Sequence, residues 1–96
     1  MAAIQLIGDA NDGGGILTHT LESNVFINGK LVALHGSLGT SHSGCPEEPI
    51  HCYPNWSTSS TENTVFINNL PITLTGDVDT CGHIRVGGSS NVFIGN

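Results

Sequence analysis

The sequence predicts an all-β domain of three related strand–turn–strand units arranged around a pseudo-threefold axis. Three observations carry this reading. Val-Phe-Ile occurs three times, at Val25-Phe26-Ile27, Val65-Phe66-Ile67 and Val92-Phe93-Ile94, each time after a pair of Ser, Asn or Thr. β-branched and aromatic residues favour strands, and the flanking Asn and Gly favour turns. No stretch carries a 3.6-residue apolar period, so little or no helix is expected.

In chain order, Gly8-Asp9 is a turn, and Asp12-Gly13-Gly14-Gly15 is a loop with no helix behind it, which argues against a phosphate loop. Residues 16–21 read as a strand carrying His19. Residues 25–27 and 31–34 flank Asn28-Gly29, the strongest short hairpin signal, and His35 follows. Residues 65–67 repeat the first strand, and Asn68-Asn69 serves the same turn because Asn tolerates positive φ. Pro71 in the returning strand requires an edge position. Gly36-Ser37 begins eleven positions after Val25, and Gly76-Asp77 eleven positions after Val65. The copies themselves lie 40 and 27 residues apart, and the extra length falls in residues 36–62, a Pro-containing loop. Three such units cannot each bury an apolar face alone, but packed together they can. The third copy ends at Asn96, so a single domain over residues 1–96 is expected.

Composition narrows function. Thirteen of the 96 residues are Gly and only 10% are charged, against about 25% in an average domain. Lys30 and Arg85 are the only fixed cations and oppose eight acids, for a net charge of −6. That balance excludes a phosphate-tracking nucleic-acid binder and disfavours docking on anionic head groups. No apolar run reaches the roughly 18 residues of a membrane helix, and the start of the chain shows no signal-peptide pattern.

Three cysteines and five histidines stand out against so few cations, and an odd cysteine count is no closed disulfide framework. The densest group is His42-Ser43-Gly44-Cys45-Pro46-Glu47-Glu48-Pro49-Ile50-His51-Cys52, followed later by Cys81-Gly82-His83. Imidazole and thiolate are the usual ligands of tetrahedral zinc. A metal is therefore expected, with the cysteines as thiols or thiolates rather than a disulfide. His and Cys suit zinc, with iron as the alternative. His19 and His35 read as ordinary strand residues. Asp9, Asp12, Asp77 and Asp79 read as turn formers rather than a calcium site. Cys45 or Cys81 with a histidine could form a nucleophilic pair, but no oxyanion motif accompanies either.

Gly8-Asp9, the three Val-Phe-Ile segments, Gly76-Asp77 with Asp79-Thr80-Cys81-Gly82, and the terminal Asn91-Val92-Phe93-Ile94-Gly95 together resemble the PAAR-repeat proteins. The likeness covers essentially the whole chain. These proteins are the tips of contractile injection machines, in phage tails and in type VI secretion spikes. The name-giving Pro-Ala-Ala-Arg tetrad falls on Leu31-Val32-Ala33-Leu34 and Pro71-Ile72-Thr73-Leu74, which keep one proline and one alanine. The first loop carries no histidine, where the family usually has one.

The resemblance implies a small cone with a metal, usually zinc, near its apex, held by three His and one Cys. Carried across, it implies His42, His51 and Cys81 as ligands, with Cys45 favoured for the fourth position and Cys52, His83 and His19 as alternatives. It further implies a non-enzymatic tip that caps a trimeric β-helical spike at one copy per trimer, contacts the target membrane transiently and binds no nucleic acid. The implied location is the tail baseplate of a virion, with a secretion spike as the alternative. A small zinc hydrolase using Glu47 or Glu48 as base, and a free-standing metal-stapled binding module, are the competing readings.

Overall fold

A computed structural model describes residues 2–20, 23–62 and 64–94. The strands are short: β1 (Ala2–Ala3), β2 (Leu17–His19), β3 (Phe26–Ile27), β4 (Lys30–Leu31), β5 (Leu38–Gly39), β6 (Phe66–Ile67), β7 (Leu70–Pro71) and β8 (Phe93–Ile94). One 3-10 turn spans Pro49–His51. The body measures 37 × 24 × 24 Å. Among the described residues no helix is long and apolar enough to cross a membrane.

Two of the three expected hairpins form as read. β3 pairs with β4 and β6 with β7, both antiparallel. Asn28 and Gly29 have φ of 55° and 79°, and Asn68 and Asn69 have 53° and 69°. Positive φ at both central residues is what a tight turn matched to strand twist requires. The third copy departs from expectation. β8 does not fold back on a following strand but pairs with β1, at the other end of the chain. The registers are nonetheless alike: Phe26 opposes Leu31, Phe66 opposes Pro71, and Phe93 opposes Ala3.

That register makes Ala3-Ile4-Gln5-Leu6 the counterpart of Leu31-Val32-Ala33-Leu34 and Pro71-Ile72-Thr73-Leu74. The three segments bond to one another in a cycle. The Gln5 N–H donates to Thr73 O at 2.9 Å, Thr73 N–H to Ala33 O at 2.9 Å, and Ala33 N–H to Gln5 O at 3.0 Å. A second cycle runs from Ile7 to Leu31, His35 to Pro71 and Thr75 to Ala3 at 2.8–2.9 Å. Pro71 lacks an N–H, but the cycle uses only its carbonyl, so the ladder loses nothing there.

Period-two alternation then divides the interior. Ile4, Leu6, Val32, Leu34 and Ile72 are buried together and are covered by Ile27, Val65, Ile67, Leu70, Leu74, Val92 and Ile94. The intervening Gln5, Ala33 and Thr73 are fully buried elsewhere. Ala33 packs with Leu17 and Trp56, Gln5 accepts from Arg85 Nε at 3.1 Å, and the Thr73 hydroxyl lies 3.4 Å from that of Thr58. Beyond these, Gly8, Gly36 and Gly76 turn the chain at φ of 105°, 87° and 98°. Asp9, Ser37 and Asp77 close those turns by accepting the N–H of Leu6, Leu34 and Leu74 at 2.7–3.1 Å.

This division separates residues that hold the fold from residues that do not. Leu34→Ala should cost about 2–5 kcal/mol, because it empties a fully buried position. Phe66→Ser should change stability by no more than ~0.5 kcal/mol, because Phe66 is half exposed and lies outside the buried cluster. Urea denaturation of the two variants checks both outcomes.

Candidate metal centre

The loop after β5 brings His42 and His51 together by its own backbone. His42 N–H donates to His51 O at 3.1 Å, Cys45 N–H to His42 O at 3.0 Å, and Glu48 N–H to Gly44 O at 2.7 Å. Gly44 is required there: a Cβ would lie 2.6 Å from His51 Cδ2, and φ is +107°. The Thr40 carbonyl lies 3.0 Å from both His42 Nδ1 and the indole Nε1 of buried Trp56. Donation from Nδ1 leaves the lone pair on His42 Nε2. That atom sits 3.1 Å from His51 Nδ1 and 3.7 Å from Cys81 Sγ.

One ligand atom from each of His42, His51 and Cys81 thus falls within a 4.8 Å cluster. The turn after Val78 delivers Cys81, with Gly82 N–H on Asp79 O at 2.8 Å. Burial pushes the Cys81 thiol above its ordinary pKa, so a metal binding there must displace a proton. The donor set of two imidazoles and one thiol fits a borderline-soft cation such as zinc. His83, which the sequence left as one alternative, stands beside the cluster. Its ring centroid lies 5.1 Å from that of His42 and 5.0 Å from that of His51. His19 is instead exposed in β2, 5.9 Å from the Tyr53 ring.

Cys45 is a correction. Its sulfur is bonded to Cys52, with the Cα atoms 5.2 Å apart, so it offers no thiolate to a metal. The expectation that all three cysteines stay thiols is overturned with it: only Cys81 is free. The tight turns between residues 42 and 52 bring the two cysteines face to face, within bridging geometry. The bridge lies outside the cluster and closes the segment that carries His51.

Behind the cluster lies a buried ionic layer that the sequence reading did not anticipate. Arg85 and Asp79 are both fully buried side chains, with Nη1 on Oδ2 at 3.0 Å. Arg85 Nη2 also donates to Asp9 O at 2.9 Å, and Asn11 Nδ2 donates to Asp79 Oδ2 at 2.8 Å. Desolvation pushes the Asp79 carboxyl up and the Arg85 guanidinium down, and their mutual attraction opposes both shifts. The sequence carried no signal for it: the alternation of Ile84-Arg85-Val86 would place the arginine outside, whereas the structure exposes Ile84 and Val86 and buries Arg85. Asp12, at the surface, is held below the ordinary carboxyl range by the Ile84 N–H and, in lesser part, by His83.

Residues 7–84 match the family model described as the PAAR motif. The chain belongs to the PAAR-motif family, as its repeats implied. No curated protein matches it at a significant level.

Because the disulfide closes the loop that presents His51, its removal should weaken metal binding while leaving the ligands intact. The double variant Cys45→Ser, Cys52→Ser should bind zinc more weakly and melt at lower temperature, consistent with the ~2–4 kcal/mol typical of a lost bridge. Competition titration with a chromophoric chelator, together with thermal denaturation, measures both.

Proposed function

We propose that this protein is the non-enzymatic tip of a cell-puncturing spike, capping a trimeric β-helical protein at one copy per trimer. The observation that carries the reading is the placement of three phenylalanines. Phe26, Phe66 and Phe93 occupy the same register position in three strand pairs and are 63%, 51% and 47% exposed. Exposed aromatics at repeated positions are suited to serve as anchors of an interface. The three bonded segments are taken to be related by a pseudo-threefold axis, which would let one chain meet three partner chains alike.

At the loop end, His42, His51 and Cys81 would hold a metal, zinc by donor chemistry, with His83 completing four ligands. A closed four-ligand site supplies folding energy where little apolar packing is available, and leaves no open position for hydrolysis. Glu48 Oε1 lies 3.7 Å from His51 Nε2, the ring nitrogen not turned toward His42. It faces the side of the His51 ring away from His42, not the position a base at the metal would need. Low charge suits transient passage into a lipid interior. The favoured setting is a phage tail baseplate, with a type VI secretion spike as the alternative. Baseplate or secretion components encoded beside this chain distinguish the two.

Native mass spectrometry of the chain mixed with a matching trimeric β-helical spike tests the reading. A 1:3 complex is expected. Phe66→Asp should abolish it without changing metal content. No complex, or a complex insensitive to Phe26, Phe66 and Phe93, would overturn the capping role.

A further inference from the structure

The first loop carries no histidine, yet it is built around one. Asp12 Oδ1 lies 3.0 Å from His83 Nδ1 and accepts the Ile84 N–H at 3.1 Å. The Asp12 N–H returns a bond to Ile84 O at 2.9 Å. Gly13 lies directly against the His83 ring: a Cβ there would come within 2.4–2.6 Å of Nε2, Cδ2 and Cε1. Any side chain at 13 would displace the imidazole.

The loop is itself fixed from behind. Asn11 Oδ1 accepts the N–H groups of Gly13 and Gly15 at 3.0 and 2.8 Å, while its Nδ2 donates to Asp79. A rigid cradle with a carboxylate on one side and a bare backbone beneath therefore receives the imidazole of another loop. The carboxylate accepts from Nδ1, so the Nε2 lone pair is left uncommitted. A carboxylate on the outer nitrogen of a ligating histidine fixes its tautomer and raises its basicity.

We infer that Asp12 and Gly13 are positioning residues that present His83 Nε2 to the metal, in place of a ligand from the first loop itself. This rests on the metal reading above and deepens it. It makes the fourth ligand a product of two loops distant in sequence, tied through Asn11 to the buried Asp79–Arg85 pair.

Zinc affinity of the full chain, metal-stripped and titrated against a chromophoric chelator, is the primary readout. Asp12→Ala should lose about 10–100-fold in affinity. Gly13→Ala and His83→Ala should weaken binding as well. Lys30→Ala, which removes an exposed charge in the β3–β4 hairpin outside the metal loops, should leave affinity unchanged. The metal-free melting temperature of Asp12→Ala should fall modestly, because the Ile84 N–H loses its acceptor, but the rise in melting temperature on adding zinc should shrink as well, which a merely structural role would not produce. In the zinc-loaded parent, nitrogen NMR of His83 should show Nδ1 protonated and Nε2 bound, and Asp12→Ala should lose that signature. Imidazole added to His83→Gly should restore affinity.

If His42→Ala and Cys81→Ala abolish binding while His83→Ala does not, the inference falls with His83 as fourth ligand, and the centre of His42, His51 and Cys81 stands. If His42→Ala and Cys81→Ala also leave binding unchanged, both fall. If His83→Ala weakens binding but Asp12→Ala does not, the positioning role falls alone. Should Asp12→Ala fail to fold, the nitrogen NMR of the zinc-loaded parent decides, and a His83 with Nδ1 unprotonated or Nε2 unbound counts against the role.

Discussion

Three backbone hydrogen bonds, closing Gln5, Ala33 and Thr73 into a cycle, are the constraint from which the rest follows. They join segments that are far apart in sequence, so the chain must order long stretches before any of them forms. Once closed, the cycle fixes what each end of the molecule can be. The Val-Phe-Ile strands pair with the outer ends of the bonded segments and bring one phenylalanine each to the surface. The glycine turns at 8, 36 and 76 begin the three loops that supply Asp12, His42, His51, Cys81 and His83. A row of exposed phenylalanines and a cluster of imidazole and thiol donors are thus two consequences of one pattern of pairing.

The interior reflects the same geometry. Near the strands, branched aliphatic side chains fill the space and contribute through burial. Toward the loops, the buried residues include Arg85, Asp79, Asn11 and Gln5, joined by hydrogen bonds rather than by dispersion alone. A buried ion pair adds little net stability over apolar packing, but it specifies geometry, and removing one partner costs about 3–5 kcal/mol. Here it fixes the loop that supports His83 and the turn that delivers Cys81. The disulfide performs the corresponding task for the loop of His42 and His51.

What the sequence made legible was local. The repeated Val-Phe-Ile, the Asn-Gly turn and the gathering of His and Cys are each contained in a dozen residues or fewer, and the structure realises them. The strand partner of the third copy was not legible in this way, because Ala2-Ala3 lacks the β-branched signature and pairs with the far end of the chain. A signal existed: Ile4-Gln5-Leu6-Ile7-Gly8-Asp9 has the same pattern as Ile72-Thr73-Leu74-Thr75-Gly76-Asp77. Cys45 was misassigned because its spacing from His42 suits a ligand as well as a bridge, and only the path of the turn decides. The Asp12–His83 contact joins residues 71 apart, and neither residue carries a local pattern that points to the other.

The central claim is that separate loops, held by the backbone cycle, converge on one metal through three imidazoles and a single thiolate. X-ray absorption spectroscopy of the zinc-loaded protein tests this most directly, since sulfur and nitrogen neighbours differ by about 0.2–0.3 Å in distance. The expected first shell is three nitrogens and one sulfur. Two sulfurs would place Cys45 or Cys52 on the metal and contradict the disulfide. Outer-shell scattering from only two imidazoles would leave His83 out and open the site.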